Sequence, residues 1–132
     1  MRSKKNKGKK IAHLVSIPFA YLVFAPMIMF DISVEVYQNI CFRLWGIDLV
    51  KRRKYIKIDR HKLKYLRWFE RINCAYCGYA NGFINYTKTI FAETEKYWCG
   101  IKHEKDSEFI EPDHYKDFID YGDEDAYKKL SK

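Results

Sequence analysis

Hydrophobic and polar positions divide the chain into stretches of different period. Residues 11–30 form an apolar run broken only by His13, Ser16 and two prolines, with no charged side chain. At about 1.5 Å per residue, a helix of about 20 residues crosses a hydrocarbon core of about 30 Å. A chain this short has little other mass to wrap such a helix on every side, so membrane insertion is expected in preference to a buried core helix. Pro18 and Pro26 each delete a helical hydrogen bond, which favours a kinked or re-entrant path.

Beyond residue 30 the pattern becomes amphipathic. On a helix, Asp31, Glu35, Gln38, Asn39 and Arg43 gather within an arc of about 140°. Val34, Val36, Tyr37, Ile40, Cys41, Leu44 and Trp45 fall mostly on the other side, with Ile32 and Phe42 blurring the edge. Such a helix lies in a membrane interface, or packs back on the first run as the second arm of a hairpin. Cys41, on the apolar face, is expected as a buried thiol.

Two further helices are expected downstream. Asp59 can cap one that begins near Arg60 and carries Leu63, Leu66 and Ile72 at helical spacing. Cys77-Gly78 and Asn81-Gly82 read as turns. Phe83, Thr87, Ile90 or Phe91, Thr94 and Tyr97 or Trp98 then mark the inward stripe of a helix that ends near Cys99-Gly100. In the tail, Pro112 sits where a short helix starts, with Tyr115, Phe118, Ile119 and Tyr121 as its docking face. Asp123-Glu-Asp125 can cap a last turn through Tyr127 and Leu130. The fold class expected is all-α: a basic arm (1–10), a membrane helix or re-entrant hairpin (11–50), and a small cytoplasmic helical domain (51–132).

Charge sharpens this picture. Residues 1–67 carry 16 basic and 4 acidic side chains, whereas residues 68–132 carry 9 basic and 13 acidic ones. Basic flanks stay on the cytoplasmic side, so clusters before and after the apolar region place both ends inside. Lys51, Arg52, Arg53, Lys54 and Lys57 form a basic cluster suited to anionic lipid headgroups. The acidic tail is expected to neutralise the basic segment within the molecule. The same segment interleaves cations with Tyr55, Tyr65 and Trp68, a pattern compatible with nucleic acid, although a neighbouring membrane accounts for those charges equally well.

Candidate chemistry lies in the cysteines. Cys74 and Cys77 stand three apart, and Cys99 and His103 four apart. Three thiolates and an imidazole suit a tetrahedral cation, zinc first and iron second, provided two ligand pairs meet at adjoining helix ends. His114 rivals His103 as the fourth ligand. A redox dithiol would want a thioredoxin-like βαβ context, and no run of β-branched residues supplies strands.

Asp59-Arg60 with Leu63 and Tyr65-Leu66, then Asn73-Cys-Ala-Tyr-Cys-Gly-Tyr-Ala-Asn-Gly82, Thr94-Glu95, Tyr97-Trp-Cys99 and Ile101-Lys-His103, resemble a family of small bacterial membrane-associated proteins without an assigned activity. The resemblance covers most of the chain. It implies location at a bacterial inner membrane and a cysteine-rich metal site. Gly100 departs from the proline usual after the third cysteine, which leaves the Cys99 to His103 turn less defined.

Two classes of function follow as expectations. One is a membrane-anchored protein whose structural metal staples a small domain that binds a membrane protein or anionic lipid. The other is an electron carrier or metalloenzyme using the Cys3His site with Glu104, Asp113 or His114. A closed four-ligand shell leaves no open position for water and counts against hydrolysis.

Overall fold

A computed structural model of the chain describes residues 10–130. The basic arm expected over residues 1–10 lies outside these residues except for Lys10, which opens α1 (Lys10–Leu22). The chain continues through α2 (Phe24–Tyr37), a π-helical turn (Gln38–Phe42) and α3 (Arg43–Trp45). A return segment, residues 46–67, holds only two 3-10 turns, Arg52–Lys54 and Arg60–Lys62. It leads to α4 (Trp68–Trp98), and the tail carries a 3-10 turn at Asp113–Asp117 and α5 (Glu124–Leu130). No β-strand occurs among the described residues, and one isolated bridge pairs Ile101 with Ile119.

Proline explains the single interruption early in this run. Pro26 has no N–H and its ring crowds the carbonyl of Leu22, four residues back. Accordingly α1 stops at Leu22, and α2 restarts so that Pro26 falls in its first turn, where the missing donor would have had no helical partner. The Met27 amide reaches the Val23 carbonyl at 3.2 Å and carries the helix across the break. The hairpin alternative is therefore not adopted, and residues Leu14–Trp45 run on as one long helix.

That run ends in a glycine stop. Gly46 takes φ of 70°, the left-handed conformation, and the Ile47 amide returns to the Phe42 carbonyl at 2.8 Å. The chain then turns back. Contacts climb in step along α1–α3 and α4: Tyr76 meets the Ala20 carbonyl, Phe30 meets Phe83, Tyr37 meets Thr94, and Trp45 stacks on Tyr97. The two long helical runs are thus parallel, and residues 46–67 travel antiparallel along them as the crossover.

The crossover explains why α4 is one helix. Glycines 78 and 82, which read as a knuckle and a turn, are both helical and on one face, where a backbone must pass. A Cβ at Gly82 would stand 2.6 Å from the Tyr55 carbonyl oxygen and 2.8 Å from Ile56 Cα, and one at Gly78 would stand 3.0 Å from the Lys57 carbonyl oxygen. These glycines are landing sites for the return segment, a use of glycine different from turn formation. The helix expected from Arg60 shrinks to a 3-10 turn, and α4 starts at Trp68, where the buried Glu70 carboxylate accepts from the Arg67 amide at 3.0 Å.

Val34, Phe42, Phe83, Tyr86 and Ile90 make the core between α2 and α4. Of the expected stripe Phe83, Thr87 and Ile90 are buried and Thr94 is half-buried, whereas Phe91, Tyr97 and Trp98 are exposed because the packed core ends short of that turn. Tyr115 and Phe118 stack at 5.0 Å and dock the tail, and the Lys102 amide to Ile119 carbonyl bond (2.8 Å) ties it to the end of α4. Asp123 caps α5 by accepting from the Ala126 amide at 2.9 Å.

Candidate functional site

Helix continuity decides the fate of the cysteine set. Cys74 and Cys77 are one turn apart on α4, whereas Cys99 is its C-cap, more than five turns further on. At 1.5 Å per residue that is ~33 Å from Cys77, beyond the reach of any shared ion. His103 lies past that far end, its ring against Phe109 at 5.6 Å and Tyr115 at 6.0 Å. His114 is engaged elsewhere, with Nε2 at 2.9 Å from Glu95 Oε2, while the Tyr115 hydroxyl donates to Glu95 Oε1 at 3.2 Å. Burial first, then this bond, raises the Tyr115 phenol above its ordinary pKa. Among the described residues, no three His, Cys, Asp or Glu side chains gather as a metal site. The two antiparallel helices that were to bring Cys74, Cys77, Cys99 and His103 together for zinc or iron do not form. Cys41 is half-buried, as are Cys74 and the ring of Tyr76, while Cys77 and Cys99 are exposed.

What the fold does assemble is a polar clasp between α2, the return segment and α4. Both terminal nitrogens of Arg52 donate to the two oxygens of Asp31, and one also reaches Glu35 at 3.1 Å. The Tyr79 hydroxyl donates to Asp31 at 2.6 Å, and the Tyr86 hydroxyl donates to Glu35 at 3.1 Å while accepting from Gln38 Nε2 at 2.9 Å. Gln38 Oε1 in turn accepts from the Val50 amide at 2.9 Å. The Arg52 guanidinium also stands over the Tyr86 ring, 5.7 Å from its centre. Helical spacing explains the convergence: Asp31 and Glu35 of α2 and Gln38 at the start of the π-helical turn lie within two turns on one face, and Tyr79 and Tyr86 lie two turns apart on α4.

The clasp has electrostatic consequences. Asp31 holds the Arg52 proton more firmly than usual. Burial, then the carboxylate of Glu35, pushes the Tyr86 phenol up to about 12. Burial, then the hydrogen bond to Asp31, does the same for Tyr79, also to about 12. Arg52 is thus half-buried and engaged with Asp31 and Glu35, unlike its neighbours in the basic cluster. Lys51, Arg53, Lys54 and Lys57 remain exposed. The acidic tail does not neutralise them: Asp113, Asp117 and Asp120 pair with Lys88, Lys96 and Lys102.

The clasp also draws polar side chains inward. Asp31 (8% exposed) of α2 and Gln38 (3%) of the π-helical turn are buried beside Val34 and Phe42, while Ile32 (62%), Val36 (54%), Ile40 (55%) and Leu44 (79%) face outward, together with Asn39 and Arg43. Ile11, Val15, Leu22 and Met29 continue that outward face through α1 and across the Val23 break. By length and composition, Leu14–Trp45 is a helix apolar enough to cross a membrane. Comparison with protein-family models, with characterised proteins and with solved structures finds no match to this chain.

Proposed function

We propose that this protein is a membrane-associated binding protein that lies along the bilayer surface and acts by engaging anionic lipid or a membrane-resident protein. The observation that carries this reading is the run from α2 to α3, where Asp31 and Gln38 are buried inside the fold while Ile32, Val36, Ile40 and Leu44 are left exposed. A long apolar face exposed along one side of a helix is the signature of an apolar environment or a partner.

An in-plane arrangement fits the return segment better than a perpendicular span does. Ile58 lines a cleft with Tyr21 and Ile72, at the level of the end of α1, and the 3-10 turn Arg60–Lys62 that follows packs on α4. A bilayer crossed by α1 would have to hold the exposed Arg60, Lys62, Lys64 and Arg67 at its own depth, at a cost of ~2.5–3.5 kcal/mol for a charge at the centre. With the outward face laid in the interface, those cations sit at headgroup level, where each contributes ~1 kcal/mol toward an anionic surface. The tie that holds the domain together is the Arg52 clasp, so this reading needs no metal staple.

Vesicle flotation tests the proposal. The protein is expected to float with phosphatidylglycerol vesicles, and Leu22→Glu with Met29→Glu should abolish flotation while leaving helical circular dichroism unchanged. A fluorophore attached at Leu22→Cys, Met29→Cys and Val36→Cys should report one shallow depth at all three positions. A steady gradient of depth would replace the in-plane arrangement with a crossing helix, and full retention of flotation by the double variant would remove the reading altogether.

A further inference from the structure

The α2–α4 pair has two lateral grooves, and the chain fills only one. On one side the return segment lies on Gly78, Gly82 and Tyr86. On the other is an open cleft of about 580 Å³, within the range of small-molecule sites, to which residues 46–67 contribute nothing. Its walls are Val23, Pro26 and Phe30 from the first run, and Phe83, Ile84 and Phe91 from α4.

Two polar features break this apolar lining. Thr87, 8% exposed, has a buried Oγ1 with no hydrogen-bond partner, a donor left unsatisfied in a site that is otherwise hydrocarbon. The next residue, Lys88, is the one charged residue lining the cleft, and its half-exposed ammonium has only a loose 3.6 Å contact with the exposed Asp113. An apolar trough with an unsatisfied hydroxyl and an adjoining cation matches a molecule that has a hydrocarbon chain, an ester carbonyl and an anionic head in that order.

We propose that this cleft takes one acyl chain of an anionic phospholipid, with its phosphate on Lys88 and an ester carbonyl within reach of Thr87. The proposal rests on the membrane reading above and adds a specific site to it. The cleft is continuous with the lipid-facing surface, because Val23 (53% exposed) and Phe30 (46%) belong both to its wall and to the run that carries the outward face. An acyl chain there supplies the third layer that the return segment provides on the opposite side.

The test uses the full chain with phosphatidylglycerol carrying a diazirine at the end of one acyl chain, in phosphatidylcholine vesicles, with labelled residues mapped by mass spectrometry. Labelling is expected to concentrate on Phe30, Ile84 and Phe91. Ile84→Trp, which fills the trough from a half-exposed position, should remove it, and Lys88→Glu should reduce it roughly tenfold by opposing the headgroup charge. Both positions are exposed enough for helical circular dichroism to stay unchanged. Label spread evenly over Leu22, Met29 and Val36, or unchanged by Ile84→Trp, overturns the proposal. So does a crosslinked dimer with an unlabelled cleft, which would give the groove to a second copy. Flotation of the same samples separates the two ideas: protein that floats with an unlabelled cleft loses the acyl site and keeps the membrane reading, whereas protein that fails to float loses both.

Discussion

Arg52 meets Asp31 with both terminal guanidinium nitrogens, across 21 positions of sequence, and so fastens the return segment to α2 at the level where Tyr79 of α4 also reaches that carboxylate. Asp31 is 8% exposed, so its charge depends on these partners. Arg52→Ala leaves it with Tyr79 alone and is expected to cost about 2 kcal/mol, less than the roughly 3–5 of fully buried pairs because the Arg52 side chain keeps 36% exposure. Arg52→Lys should recover only part of this, since an ammonium cannot make the fork. A double-mutant cycle with Asp31→Asn by urea unfolding should show coupling above ~1 kcal/mol, and additive costs would dismiss the clasp.

The two glycines of α4 give a graded prediction. Gly82→Ala drives a methyl into two backbone atoms that no rotamer change can move, and overpacking of this kind costs ~1–3 kcal/mol. Gly78→Ala meets one carbonyl at 3.0 Å, and the gain in helix propensity of ~1 kcal/mol offsets most of that strain. Thermal unfolding should therefore show Gly82→Ala clearly destabilised and Gly78→Ala near wild type. Equal, small effects would mean that the return segment does not lie on these residues.

This contrast bears on what the sequence disclosed. The buried part of the α4 stripe at Phe83 and Thr87, the end of α4 at Cys99-Gly100 and a cap within Asp123–Asp125 were legible, because each is set by helical spacing or local hydrogen bonding. Cys77-Gly78 and Asn81-Gly82 were not, because a glycine that admits another backbone looks the same in sequence as one that turns the chain. Once two turns are supposed there, four ligands converge; one straight helix separates them. Periodicity also grouped Asp31, Glu35 and Gln38 yet could not say that they point inward, and Asn39 and Arg43, drawn on the same face, stay exposed. Acidic residues four apart beside a long apolar run, with tyrosines seven apart downstream, were the available signal of an interior clasp.

Alkaline pH should expose the clasp's phenols. Tyr79 and Tyr86 are raised to about 12, above the ~10 of an unfolded tyrosine. Folding thus favours their neutral forms, and the associated stability is complete below pH ~10 and lost as pH rises through about 12. Ultraviolet titration should show a delayed fraction of tyrosine ionisation, from Tyr79 and Tyr86, that coincides with unfolding. Tyr86→Phe should reduce that fraction by one phenol. Ionisation of all tyrosines in one step near pH 10, without loss of structure, would contradict the described network.

The cysteines allow the sharpest choice between a metal-stapled domain and the one described. If a bound ion held the fold, Cys77→Ser would remove a ligand and with it much of the domain's stability, and a chelator would do the same. In this structure the Cys77 side chain is exposed on α4 and Cys99 is exposed at its end, so neither contributes to packing. Cys77→Ser is accordingly expected to shift stability by less than about 0.5 kcal/mol, as surface substitutions do, and to keep its helical circular dichroism. Maleimide should modify Cys77 and Cys99 quickly in the folded protein, and the half-buried Cys41 and Cys74 only slowly until denaturant is added. A chelator should leave the unfolding temperature where it was. Protection of Cys77 and Cys99 that disappears on chelation, together with an unfolded Cys77→Ser, would require the two ends of α4 to meet, and the continuous helix from Trp68 to Trp98 could not then stand.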